Sequence, residues 1–202
     1  PRRAPGATLR AGPPRHAFEI HEARRMTVDA APLELETGRL LLHTLAPGGE
    51  ARLQRVFEAC ADHFAVLMGQ RVAPDAATQE LAACAATPGR AVALLTLAET
   101  GEDVGAIGWW RGNPEPDRAL LGMLMIHPAH RLQGLAREAL DALEVWLRGQ
   151  GIVALRTAFQ RRRLAVHPVV KAFGFRELSI REHALLGLGG VGVSLWEKPV
   201  GG

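Results

Sequence analysis

Along this chain, short apolar runs alternate with longer stretches in which apolar residues recur every three or four positions. Leu40-Leu41-Leu42, entered through Thr37-Gly38-Arg39, predicts a first strand. Pro47-Gly48-Gly49 turns the chain, and from Glu50 to Ala61 the residues Leu53, Val56 and Phe57 share one helical face. Asp75 to Ala86 predicts a second helix. Ala91 to Ala98 and Val104 to Arg111 predict a strand pair around the turn at 99–103, with a further turn at 112–116. The run from Ala119 to Ile126 is apolar almost throughout and predicts a strand buried on both faces. Gly134 to Arg148 predicts a helix whose stripe is Leu135, Ala139, Leu143, Trp146 and Leu147, ended by Gly149 and Gly151. Ile152 to Ala158 then predicts a strand parallel to 119–126, because a helical crossover joins the two. A short helix at Val169 to Phe173 and closing strands at Phe175 to Arg181 and Val191 to Trp196 complete the order. The expectation is one α/β domain over residues 33–202 with a mixed sheet.

Charge changes the picture only at the N-terminus. Residues 1–25 hold six arginines against Glu19 and Glu22, a net of +4, while the whole chain is +3, so residues 26–202 carry −1. The Pro, Arg and Gly content of this tail without periodicity predicts a disordered extension over 1–32. A nucleic-acid-binding role through that tail is an alternative, but the rest of the chain has no basic stripe with interleaved aromatics. Cys60 and Cys84 stand far apart among alanines and read as buried reduced thiols with no metal or redox spacing. No apolar run reaches the ~18 residues of a membrane helix, and the start lacks a secretory apolar segment, so a cytoplasmic setting is expected.

The junction between the apolar strand and its helix carries the chemistry. It reads His127-Pro128-Ala129-His130-Arg131-Leu132-Gln133-Gly134-Leu135-Ala136. A helix N-terminus offers unpaired N–H groups and a partial positive charge. Gly134 lets backbone approach a ligand closely, Ala136 keeps the first turn bare, and Arg131 adds a cation at the rim, so the loop suits a pyrophosphate. The end of the preceding strand would offer backbone groups to whatever extends from that pyrophosphate. A diphosphate head with an amide-bearing arm describes coenzyme A.

These residues resemble the GNAT superfamily of acyl-CoA-dependent N-acyltransferases. Its signature, Q/R-x-x-G-x-G/A after a strand ending hydrophobic-x-Pro, is matched by Ile126-His127-Pro128 and by Arg131 to Ala136. Residues 35–45, the stretch 104–116 and the run 170–175 match other pieces of the fold, and the resemblance spans about 33–200. It implies a mostly antiparallel mixed sheet flanked by helices, with a central parallel strand pair splayed around the cofactor. It implies that acetyl-CoA is the cosubstrate and an amine the acceptor. It also implies backbone contacts from Leu124, Met125 and Ile126 to the pantetheine arm, and a pyrophosphate wrapped by Arg131, Leu132, Gln133, Gly134, Leu135 and Ala136. Many members carry Asn at the position of Arg163, and many carry at the position of Val170 a Tyr that protonates the leaving thiolate; this chain has no tyrosine.

The catalytic residues stay open at this level. Attack on a thioester needs a neutral amine and a proton acceptor, and the histidines nearest by topology are His43, His63 and His127. Glu115 and Asp117 lie in a turn and are expected to be solvated. Acceptor contacts are expected from Phe64, in the segment 63–69, and from Trp110, which alternation sets opposite Trp109 and beside the small residues Ala106 and Gly108. Arg161, Arg162 and Arg163 read as a solvated loop; the resemblance, which sets them after the strand beside the cofactor, implies as an alternative that one of the three reaches a CoA phosphate. The leading reading is transfer of an acetyl group to a primary amine of a small molecule or peptide. A catalytically weak acyl-CoA-binding sensor or scaffold of the same fold is the alternative that the missing Tyr motivates. Assembly into a homo-oligomer is left open, and no membrane partner is expected.

Overall fold

The structure is a computed structural model that describes residues 32–67, 69–113, 115–185 and 192–201. The proposed N-terminal extension lies almost wholly outside the described residues.

Eight strands form one sheet in the order β1 (Glu34–Glu36), β2 (Leu40–Thr44), β3 (Arg90–Leu97), β4 (Asp103–Arg111), β5 (Arg118–Ile126), β6 (Ala154–Gln160), β8 (Val193–Pro199) and β7 (Arg176–Glu177). All neighbours are antiparallel except β5 and β6. The predicted mixed, mostly antiparallel sheet with a central parallel pair is therefore present. Between the strands come the helices α1 (Glu50–Ala59), α2 (Ala61–Leu67), α3 (Ala76–Ala86), α4 (Leu135–Gly149), α5 (His167–Ala172) and α6 (Ile180–Leu185).

Each face of the sheet has its own core. On one, α4 buries Leu135, Ala139, Leu140, Leu143 and Leu147 against Leu42, Ile107, Leu155 and Trp196. This is the stripe that the 3.6-residue period predicts, and each such leucine contributes about 1.5–3 kcal/mol by leaving water. Trp146 closes the stripe edge-on to Trp109, with ring centres 5.4 Å apart. On the other face, Leu53, Val56 and Phe57 of α1, Phe64 of α2 and Leu81 of α3 pack on Val92, Leu94, Ala106 and Met125.

Several elements differ from the sequence expectation. The helix expected to run from Glu50 to Ala61 breaks at Cys60, and a new helix, α2, occupies the segment read as a connection. β1 was unforeseen; its three residues pair with β2 at the sheet's edge. The strand expected over 175–181 is only two residues long and gives way to α6, where the Glu182 carboxylate accepts the Ser179 N–H at 2.7 Å and starts the helix. β5 is not buried on both faces. Gly122 is exposed and Leu120, Met123 and Leu124 are half-buried, because the sheet opens beside them.

Candidate active site

The opening lies between the two parallel strands. β5 and β6 pair only through Arg118 with Ala154, Ala119 with Leu155, and Leu120 with Arg156. Beyond that point Thr157 Oγ1 still donates to the Leu121 carbonyl at 3.1 Å, and then the strands part. Burial falls together on both, at 122–124 of β5 and at 157–160 of β6. Where the parting begins, β5 carries an extra residue. Gly108 faces Met123 while Trp109 faces Leu121, which leaves Gly122 in a bulge.

Backbone direction in the gap follows from the ladder with β4. The His127 N–H donates to the Val104 carbonyl at 2.7 Å. Alternation along an antiparallel pair then turns Met125 toward β4, and turns the N–H and C=O groups of Leu124 and Ile126 toward the gap. Of the three residues expected to meet a pantetheine arm, two present backbone there. The Ile126 carbonyl is already taken by Arg131 Nε at 2.9 Å.

The mouth of the gap is the loop into α4. His127 Nδ1 accepts the Ala129 N–H at 3.2 Å and caps a short 3₁₀ turn, Pro128–His130. Leu132 and Gly134 have φ of 60° and 83°, a winding that turns successive N–H groups to one side. Leu132 is a non-glycine residue in the left-handed region, fully exposed, a strained placement of the kind found at ligand loops. Gly134 is the N-cap of α4 and provides no side-chain cap, so the first-turn N–H groups are open to an anion. The one carboxylate in that turn, Glu138, is directed away from the loop. It accepts from Thr37 Oγ1 at 2.6 Å, from the Arg39 N–H at 2.8 Å and from Arg39 Nε at 2.7 Å. Arg39 Nη1 also holds the Gln133 carbonyl at 2.8 Å. Glu138 stays ionised below its ordinary range because these hydrogen bonds outweigh the effect of its burial. A backbone cradle whose neighbouring carboxylate is already satisfied fits a diphosphate.

Arg131 is not a free cation. Its guanidinium forms a two-pronged pair with Asp62, at 2.5 and 2.8 Å, and so ties α2 to the end of β5. At the other end of α2, Gly69 lies against the β6–α5 loop: a Cβ on Gly69 would sit 2.8 Å from Arg163 Nη2. Helix α2 therefore runs like a strap from the end of β5 to the end of β6, across the gap. His63 stands on this strap, half-buried, and burial lowers its pKa against the opposing pull of Asp62, with Arg131 adding to the lowering. His43 lies on β2 with a buried, unpartnered Nε2. His127 is occupied as a cap.

The residues assigned to the acceptor pack as follows. Phe64 is buried edge-on to Phe57, with centroids 5.1 Å apart. Trp110 donates from Nε1 to the Pro88 carbonyl at 3.1 Å, on the face opposite Trp109, as alternation requires. The room expected beside Gly108 is filled, because Met123 Cγ lies 2.9 Å from where its Cβ would be. Val170 is buried in the α4-side core. Glu115 is not simply solvated: it pairs at 2.6 Å with Arg156, whose side chain is almost fully buried and also reaches Glu197 at 2.7 Å. Asp117 pairs with Arg118 at 2.7 Å. Arg39, Glu138 and Asp62 are the contributors that sequence reasoning missed. Each acts through a partner about 70 to 100 positions away, and no local spacing reveals such a pairing.

The site is a sheet opened between two parallel strands, with a helix N-terminus that has no side-chain cap at its mouth. The model of the acetyltransferase (GNAT) family matches residues 57–175, and the chain belongs to that family. Among solved structures, an acetyltransferase from Thermus thermophilus is similar at 25% identity and TM-score 0.67, covering 83% of this chain and 99% of that one. A probable GNAT acetyltransferase from Chromobacterium violaceum is similar at 19% identity and TM-score 0.69, covering 94% and 97%. The spermidine N-acetyltransferase of Vibrio cholerae, solved with CoA and spermine, shares the fold at 11% identity and TM-score 0.60, covering 81% and 97%. No curated protein sequence matches the chain. Among the described residues, no helix is long and apolar enough to cross a membrane.

Proposed function

We propose that the protein transfers an acetyl group from acetyl-CoA to a primary amine of a small molecule or peptide, by direct attack of the amine. The observation that carries this reading is the gap between β5 and β6, with the open N-terminus of α4 at its mouth. When bound, acetyl-CoA supplies the acyl group already activated as a thioester. The chain's own part is to bind and orient. The N–H groups from Leu132 to Ala136 hold the diphosphate, with Gly134 allowing close approach. Leu124 and Ile126 offer backbone hydrogen bonds to the amides of the arm. Helix α2 covers the acceptor side and excludes water.

The attacking amine has to lose a proton, and His63 is the acceptor we favour. It stands on α2 over the gap, and burial keeps its imidazole neutral, the form that can take a proton. No tyrosine is present to protonate the thiolate. An unperturbed thiol has a pKa of about 8.5, so the thiolate leaves without a dedicated acid or takes its proton from water. The deciding experiment combines calorimetric titration with acetyl-CoA and thiol release across a panel of amines. Binding together with acceptor-dependent release supports transfer. Binding with no release from any amine supports an acyl-CoA-binding scaffold instead.

A further inference from the structure

We propose that Arg163 is an acceptor-anchoring residue and that the acceptor is an amine bearing a carboxylate. This inference deepens the acetyltransferase reading and rests on it.

Arg163 is set apart from the other arginines near the gap. Arg131 is held by Asp62, Arg39 by Glu138, and Arg156 by Glu115 and Glu197. The Arg163 side chain has no hydrogen-bond or ion-pair partner among the described residues, and its Nε is buried and unsatisfied. Arg163 is half-buried, and its shielded Nε lacks a partner; an unmet donor of this kind is a place where a ligand's acceptor completes the pairing. The neighbouring stretches of sequence provide no acidic substitute. From Ala154 to Arg176 the sequence contains no Asp or Glu, while Arg161 and Arg162 stand beside Arg163. The facing stretch 69–74 has no acid either and contributes Arg71.

The side on which the guanidinium lies decides what it meets. The phosphate cradle belongs to α4, which packs on one face of the sheet. Arg163 reaches instead to Gly69, at the end of the strap, and α2 packs on the opposite face through Phe64. A cation there stands across the gap from the diphosphate, where the attacking molecule has to enter. Its planar fork matches a carboxylate with two parallel hydrogen bonds. One group in that position would fix the acceptor at its anionic end and leave the amine directed along the gap.

The test uses the full chain and matched acceptor pairs: glycine, β-alanine and γ-aminobutyrate against their carboxamides. The wild-type protein should turn over at least one carboxylate with kcat/KM about tenfold or more above its amide, the range of one charge-assisted bond. Arg163→Met should remove that preference through KM, with the melting temperature unchanged, and Arg163→Lys should restore part of it. Equal rates for acid and amide in the wild type would overturn the proposal. So would an Arg163→Met variant that loses affinity for CoA but not for 3′-dephospho-CoA, because the cation would then serve the cofactor's phosphate. Binding of the same pairs to the CoA-loaded protein is measured alongside. Arg163-dependent carboxylate binding without transfer would overturn the acetyltransferase reading and leave the anchoring site standing. Absence of such binding would overturn the anchoring site itself.

Discussion

Asp62 grips Arg131 through both carboxylate oxygens, at 2.5 and 2.8 Å, while Arg131 Nε holds the last carbonyl of β5. The cation that the sequence offers to a phosphate is thereby committed to fastening α2. Both partners are substantially exposed, so the pair contributes only about 0.2–1 kcal/mol to stability. Its main effect is positional. Asp62→Asn should leave the melting temperature nearly unchanged and leave acetyl-CoA affinity near that of the wild type. It should lower kcat/KM for the acceptor by about tenfold, as expected when a positioning element shifts. Calorimetry and acceptor kinetics on the same preparation check this, and a parallel loss of acetyl-CoA affinity would show that the pair serves the cofactor.

Gly134 separates two effects that one substitution would mix. At φ 83° any side chain is strained, by about 1–2 kcal/mol. Its Cβ would meet only Arg39 Nη2, at 3.4 Å. Gly134→Ala therefore measures the strain, and Gly134→Glu adds a carboxylate at the proposed diphosphate position. Titration with acetyl-CoA should show Glu weaker than Ala by about tenfold or more, the scale of one repelling charge at a helix N-terminus. Similar affinities for the two variants would remove this loop from the site.

Val170 offers a direct reading of leaving-group protonation. It is buried in the α4-side core, so Val170→Phe and Val170→Tyr should each overpack it and cost about 1–3 kcal/mol by denaturant melts. We expect neither variant to outpace the wild type. A Tyr variant faster than the Phe variant at equal stability would mean that a phenol at 170 reaches the sulfur and that proton delivery limits the rate.

Acid should reveal His63. Its folded pKa lies below the ordinary 6.5, chiefly through burial, so the unfolded chain binds the proton more readily. Its contribution to stability is complete above about pH 6.5 and is lost as pH falls from there toward the folded value. Thermal melts between pH 7 and 5 should therefore decline less steeply in His63→Gln than in the wild type. The same variant should lower kcat while sparing acetyl-CoA affinity. A wild-type slope in the variant would show that His63 is not held neutral.

The two thiols should stay silent. Cys60 is buried with a raised pKa, and burial, aided by Glu80, pushes Cys84 to about 12. Thiolates are the reactive species, so Ellman's reagent at pH 8 should find almost no thiol in the native protein and two per chain after denaturation. A fast native reaction would contradict the burial of Cys60 and the raised pKa of the half-buried Cys84. It would also give thiol-release assays a background of their own.

What the sequence disclosed depended on the range of the interaction. The α4 stripe, the strands at 90–97 and 103–111 and the parallel crossover rest on local periodicity and connection length, and all are present. Gly134 stood out because a backbone requirement leaves a residue-type trace. Arg131, Glu115 and Phe64 show the opposite case, because their partners were not legible in the sequence. Asp62, Arg156 and Phe57 are the partners of those side chains, and a partner far along the chain, or seven residues back across a helix break, leaves no trace in spacing. The strap itself was hidden because Cys60 interrupts a helix that continuous periodicity extends.

The brevity of the β5–β6 pairing has a thermodynamic meaning. Three residue pairs hold the two halves of the sheet together, and past them both strands keep an edge inside the molecule. Interior edges are rare, since an unpaired strand invites a partner. Under the proposed function the awaited partner is a small molecule, and an arm hydrogen-bonded to Leu124 and Ile126 would act as a surrogate ninth strand. Completing the ladder and binding the ligand are then one event. The amide protons of Leu124 and Ile126, which face the gap, should exchange with solvent quickly in the free protein and slow together on saturation. At a ligand concentration 100-fold above Kd, linkage adds about 2.7 kcal/mol to the folded state.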